Sequence, residues 1–204
     1  MKKIIAILTV SAIMLSCGNT DKKEQNSMSA SETKTTTTVK NKIESTSNIS
    51  LLCKINGEEW GYTKADGLVS RNSSTNVRTA TITFTKKLDK GSEAVQLEYD
   101  VDKNTLTRVL AELKRPDKEG NLFTNFYNQS ANQLDRNPEA SMAGTVSLNE
   151  DARVAAGTAV FTVQNDYEKD KLGNTSDLLI TISDLKFSGV PYSDTEDLKK
   201  LMKK

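Results

Sequence analysis

Ser50-Leu51-Leu52-Cys53-Lys54-Ile55-Asn56-Gly57-Glu58-Glu59-Trp60 is the stretch that decides the fold class. Two strand-like runs flank an Asn-Gly pair. Both central residues of a two-residue hairpin turn need positive φ, which Asn and Gly adopt at least cost. Such a turn fixes the register. Cys53 then faces Trp60 on one side of the ribbon, and Lys54 faces Glu59, a pair of opposite charges, on the other. This register places Leu51, Cys53, Ile55 and Trp60 at the start of a core.

The same alternation recurs downstream. Val77 to Thr85 sets Ala80, Ile82 and Phe84 inward and Thr79, Thr81 and Thr83 outward. Ala94 to Val101 sets Val95, Leu97, Tyr99 and Val101 against Gln96, Glu98 and Asp100. Leu122 to Tyr127 is a shorter strand. Val146 and Leu148 belong to a strand whose return runs Thr158 to Gln164, with Phe161 and Val163 central. Asp177 to Ser188 carries Leu178, Ile180 and Ile182, then changes parity to Leu185 and Phe187, which predicts a bulge at Ser183-Asp184.

One segment, 104–115, reads as a short helix or as a strand with broken alternation, and a second reads as helix. Leu106, Val109, Leu110 and Leu113 have the spacing of one helix face, with Asn104 as a cap and Pro116 beyond the end. Ser193-Asp194-Thr195-Glu196 fits a capping box, with Leu198, Leu201 and Met202 as a small apolar face. Some seven short strands and few helices predict a mainly β fold, an antiparallel β-sandwich or barrel with one or two short helices.

Before this domain the chain changes character. Residues 18–48 are mostly Ser, Thr, Lys, Asn and Glu, include Thr35-Thr36-Thr37-Thr38, and hold only Met28, Ala30, Val39 and Ile43 as apolar residues, with no period. Such a stretch buries too little apolar surface to offset its ordering entropy, so 17–48 reads as a flexible tether. A coil of that length reaches roughly 30 Å. Ahead of it stand Lys2 and Lys3, an apolar run from Ile4 to Leu15, and Met14-Leu15-Ser16-Cys17. The run is too short for a membrane span and has the length of a signal-peptide core. Residues 1–16 are therefore the predicted signal, and 49–204 the globular domain.

Met14-Leu15-Ser16-Cys17 resembles the lipobox of bacterial lipoproteins, and the Ser-Cys-Gly-Asn junction resembles Bacteroidetes-type members. The resemblance implies cleavage before Cys17, a diacylglyceryl thioether on its sulfur, acylation of the new amine, and the outer membrane as destination. Asp21 and Glu24 lie where such proteins carry a surface-export cue, diluted here by Lys22 and Lys23, so periplasmic face and cell surface both stay open. The Ile-Asn-Gly-Glu-Glu-Trp hairpin, with Gly144-Thr145-Val146 and Gly157-Thr158-Ala159-Val160-Phe161 leading later strands, is similar to β-rich lipoprotein domains of the same bacterial group over residues 50–190. That likeness brings no activity and no assigned functional residues.

Composition narrows the chemistry. The chain has no histidine, which removes Ser-His-Asp and Cys-His catalysis and the commonest metal ligand. No metal site and no cofactor are expected. Of 28 basic residues Lys2 and Lys3 leave with the signal, so 26 stand against 27 acids, a balance with no footprint for nucleic acid that also argues against a polybasic membrane patch. With Cys17 lipidated, Cys53 has no intramolecular partner and reads as a core residue. Asp100-Val101-Asp102-Lys103-Asn104 begins like a calcium loop, but Thr105 and Ala111 occupy the places of its glycine and bidentate glutamate, leaving a polar turn. The acidic loops at 149–151 and 165–170 read as hairpin tips. Trp60, Tyr62, Tyr127 and Tyr167 are the candidate ligand-binding rings. The expected function is a membrane-anchored, non-catalytic binding or accessory module contacting an envelope protein or glycan. The alternatives are a structural or assembly lipoprotein and a hydrolase built on two carboxylates in a cleft.

Overall fold

The computed structural model describes residues 49–165 and 167–197. The signal at 1–16, the lipidation site Cys17, the tether at 17–48 and the apolar face Leu198, Leu201 and Met202 lie outside the described residues.

Ten strands form one sheet: β1 (Ser50–Ile55), β2 (Glu58–Tyr62), β3 (Lys64–Arg71), β4 (Arg78–Lys87), β5 (Ser92–Asp100), β6 (Thr105–Pro116), β7 (Leu122–Ser130), β8 (Ser141–Asn149), β9 (Val154–Gln164) and β10 (Leu179–Asp194). Among the described residues there are also two short 3-10 helices, Ala131–Arg136 and Thr175–Leu178, and a helical turn at 195–197. The fold is mainly β, as expected. The strands run β2-β1-β10-β3-β4-β5-β6-β7, with β9 on the other side of β10 and β8 on β9. All pairings are antiparallel except β10 with β3.

The opening hairpin has the register read from its turn: Cys53 opposite Trp60 and Lys54 opposite Glu59. Asn56 and Gly57 both take positive φ, 51° and 86°. One inward residue is corrected. Leu51 is exposed and Leu52 is buried, because the ladder steps from Leu51–Gly61 to Cys53–Trp60 and leaves Leu52 as the extra residue of a bulge. Burying one leucine rather than the other recovers about 2 kcal/mol of transfer free energy that the simple alternation assigned to Leu51.

The proposed helix at 106–113 is instead β6. Leu106, Val109, Ala111 and Leu113 point inward. Tyr99 pairs with Leu106 while Glu98 pairs with Arg108, so Thr107 is bulged. That insertion turns one period-2 step into a step of three, which imitates helical spacing. Asn104 is not a helix cap: at φ 52° it turns the chain, and its side-chain oxygen accepts from the Val146 backbone N–H at 2.8 Å. At the other end, the cap belongs to Asp194 rather than Ser193; its Oδ1 accepts from the Glu196 N–H at 2.9 Å. The alternation also put Asp100 outward, yet it is buried, folded over its own turn by the Lys103 N–H and ammonium.

The long β10 carries two register shifts, between Ile182 and Leu185 and between Phe187 and Val190. Asp184 (φ 58°) and Gly189 (φ 68°) sit in them. The first is the bulge expected at Ser183-Asp184. Between them they bend the strand so that one edge follows β9 throughout while the other meets β1 at Ile182–Ser183 and β3 at Tyr192–Asp194. The curled sheet encloses one hydrophobic core running from Leu52 to Tyr192. Among the described residues, every buried member of that core lies after residue 51.

Hydrogen bonds cross the core between non-adjacent strands. The Tyr99 hydroxyl donates to the Thr158 carbonyl at 3.1 Å. Close approach of β8 and β9 uses glycine. A Cβ on Gly157 would lie 2.4 Å from the Thr145 oxygen and 2.7 Å from the Phe187 ring. Gly157→Ala is therefore expected to lower unfolding free energy by about 2–3 kcal/mol in a urea titration. An unchanged midpoint would show that β8 and Phe187 yield without cost.

Candidate functional site

A groove of about 920 Å³ lies at the end of the sheet where the described chain begins. Its floor and walls come from four places: Ile49 before β1, the β4–β5 turn with Lys87, Leu88 and Lys90, Lys114 on β6, and Leu122 at the start of β7. Local chemistry explains the turn. Gly91 takes φ 83°, and the Leu88 N–H donates to the Gly91 carbonyl at 3.1 Å. The lysines of this hairpin tip are thereby held at the sheet's end. Ile49 and Leu122 are 58% and 68% exposed, high enough to offer real apolar area to a partner.

A buried polar post stands beneath the groove. Trp60 Nε1 donates to Glu93 Oε2 at 2.9 Å, and the Lys114 backbone N–H donates to Glu93 Oε1 at 3.0 Å. Lys86 Nζ lies 3.6 Å from the same carboxylate. Glu93 is itself buried, and these partners compensate the desolvation of its charge. Lys114 Nζ donates to Thr124 Oγ1 at 2.7 Å. Among the described residues Lys87 and Lys90 make no ion pair, and both are exposed.

The sequence-chosen rings do not converge. Trp60 is in the core, its one donor used by Glu93. Tyr127 is fully buried, and its hydroxyl donates to the Asp177 carbonyl at 2.6 Å; burial pushes it up to about 12. Tyr62 is half-buried, edge-on to Phe84 with centroids 5.2 Å apart. Tyr167 alone projects into solvent, from the loop after β9. Cys53 is buried and free, and burial pushes its thiol up to about 12, which leaves it protonated and inert near neutral pH.

At another place in the domain, Arg78, Glu150, Arg153, Tyr192 and Asp194 form a charged network. Arg78 binds Glu150 and Asp194 at 2.9 Å each. Arg153 reaches Glu150 at 3.2 Å, pairs with Asp197, and lies over the Tyr192 ring. The Arg78 guanidinium holds the Glu150 carboxyl below its ordinary range. Burial alone would raise Asp194, but the Glu196 N–H and Arg78 outweigh it and keep it ionised. These groups tie β4, the β8–β9 turn and the end of β10 together. Their bonds are spent on one another, so they read as a latch.

Sequence reading missed the groove. The Lys86-Lys87-Leu88-Asp89-Lys90 run was a visible signal, but Ile49, Lys114 and Leu122 join it only through the fold. Among the described residues, no cluster of three or more His, Cys, Asp or Glu side chains is placed to hold a metal ion. No protein-family model, curated protein or solved structure matches this chain.

The latch has a pH signature. Asp194 and Glu150 titrate lower in the folded chain than unfolded, so their contribution is present above about pH 4 and is lost as pH falls through their folded values. Arg78→Met strands the buried Asp194 carboxylate and is expected to cost about 2–3 kcal/mol at pH 7. It also shrinks the stability gained between about pH 3 and pH 6. Urea titrations across that range check both; a variant with the parent's pH slope would contradict the assignment.

Proposed function

We propose that this chain is a lipid-anchored protein of the bacterial envelope whose β-domain is a non-catalytic binding or accessory module. The observation that carries the reading is the succession of Lys2-Lys3, the apolar run Ile4–Leu15 and Met14-Leu15-Ser16-Cys17, followed by a polar stretch up to Asn48. A thiol at residue 17 is what the thioether chemistry requires, and two or more acyl chains on it anchor stably. The outer membrane is the destination that the Ser-Cys-Gly-Asn junction favours.

Features of the domain support a binding role over the carboxylate hydrolase. A glycosidase acid needs a raised pKa so that it is protonated near neutrality. Among the described residues, Asp100, Asp117, Glu150 and Asp194 are all shifted down, toward ionisation. Stacking on Trp60 or Tyr127 is disfavoured by their burial. The groove, by contrast, offers exposed apolar side chains and available ammonium groups on one surface.

Expressed with its natural N-terminus in a bacterial host, the chain is expected to fractionate with membranes and to lose residues 1–16. The mass of its N-terminal peptide should then equal Cys17 plus a diacylglyceryl group and an N-acyl chain, and Cys17→Ala should release a soluble or uncleaved product. A mature peptide with an unmodified thiol at residue 17 would overturn the anchor.

A further inference from the structure

We infer that the groove beside Ile49 is a membrane-contacting face that docks the domain onto anionic lipid headgroups. The inference rests on the anchor reading for its biological setting and on the groove's own chemistry for its partner.

Position is the first argument. Ile49 is both the first described residue and part of the groove lining. Thirty-one residues, 18–48, separate it from Cys17. Whatever holds Cys17 at a bilayer therefore pulls on the domain at the groove's rim. This surface, rather than the end of β4 bearing the Arg78 latch, is therefore the one nearest the point where the tether enters the domain.

Charge is the second. The chain as a whole is close to neutral, at +1. The groove lining is not: it holds Lys86, Lys87, Lys90 and Lys114 against Asp89 alone. Lys86 is partly engaged by a Glu93 carboxylate already held by Trp60 and the Lys114 N–H, and Lys114 Nζ donates to Thr124. Lys87 and Lys90, on the exposed turn, face solvent. A cluster of this sign, out of step with the rest of the molecule, matches an anionic surface.

The third argument is the mixture. Ile49, Leu122 and Leu88 stand among the lysines. Apolar side chains that enter the headgroup layer while ammonium groups contact phosphates are the features by which peripheral proteins seat on bilayers. An acidic protein segment would use the lysines but leave Ile49 and Leu122 without an obvious match. A neutral glycan would use neither charge nor aliphatic area.

The chain from residue 17 onward, carrying Cys17→Ser so that no acyl chain contributes, tests this by co-sedimentation with vesicles. Binding is expected to vesicles of equal parts phosphatidylglycerol and phosphatidylcholine, to be absent with phosphatidylcholine alone, and to weaken as salt rises. The double substitution Lys87→Glu and Lys90→Glu lies on an exposed turn, so its thermal unfolding should match the parent. It should bind the anionic vesicles at least roughly tenfold more weakly. Leu122→Asp should weaken binding without abolishing the salt dependence. No binding by the parent, equal binding to both vesicles, or undiminished binding by the double variant would each overturn the inference. So would binding to polyglutamate without binding to vesicles, which points to an acidic protein partner. The two readings fail separately. A chain lipidated at Cys17 whose domain ignores anionic vesicles sinks only the docking face; an unmodified Cys17 on a domain that binds them sinks only the anchor.

Discussion

β10 is the strand on which the domain depends. One of its edges is occupied by β9 from Leu179 to Pro191, and the other is divided between β1 and β3. A straight strand would leave a pleated edge running past one of those neighbours. Two bulges, at positive-φ Asp184 and Gly189, bend and twist it enough to serve both. Each restores the inward parity of the following apolar residues, so Ile180, Ile182, Leu185, Phe187 and Val190 all reach the core. The parallel pairing with β3 follows from the same geometry. It joins the β3–β7 meander to the β8–β9–β10 leaf, and the core forms between them.

Polar atoms inside this core are mostly committed to holding strands together. Glu93 binds Trp60 from β2 and the β6 backbone; Tyr99 binds β9; Tyr127 binds the turn before β10. A buried hydroxyl or carboxylate without such a partner would cost several kcal/mol. These bonds therefore select which strands meet as well as compensating burial. They also explain why rings that look available in the sequence are closed to ligand. Surface chemistry is left to the sheet's ends, where hairpin tips carry lysines and exposed aliphatics.

Much of this was legible in the sequence because hairpin turns and period-2 alternation are local. Asn56-Gly57 dictated the first register, and the parity change after Ile182 dictated the first β10 bulge. What was not legible came from bulges lacking a local sign. Thr107 made β6 resemble a helix, and Leu52 exchanged places with Leu51. Asn104 was recognised as a cap-type residue but serves a strand 42 positions away, and the C-terminal cap falls on Asp194 rather than Ser193. The groove was illegible for a related reason: four separate segments build it, and only one of them is a charged run. The hairpin register had already put Trp60 in the core, whereas Tyr127 was marked by residue type alone, and its burial is decided by strand neighbours that type does not reveal.

The placement of a lysine-rimmed apolar surface at the chain's entry to the domain is a consequence of topology. β1 must begin at that end to pair with β2 and the first half of β10, and the β4–β5 turn falls there because β4 continues past β3. The account thus stands on β10 as the element that fixes all the others. Native-state hydrogen exchange measures this directly. Hydrogen-bonded amides of β10 between Ile180 and Val190 should exchange only with the free energy of global unfolding, while β2 and β7, at the ends of the strand order, open at lower cost. If β10 amides exchange more easily than those shared by β4 and β5, β10 is not the organising strand and the account fails.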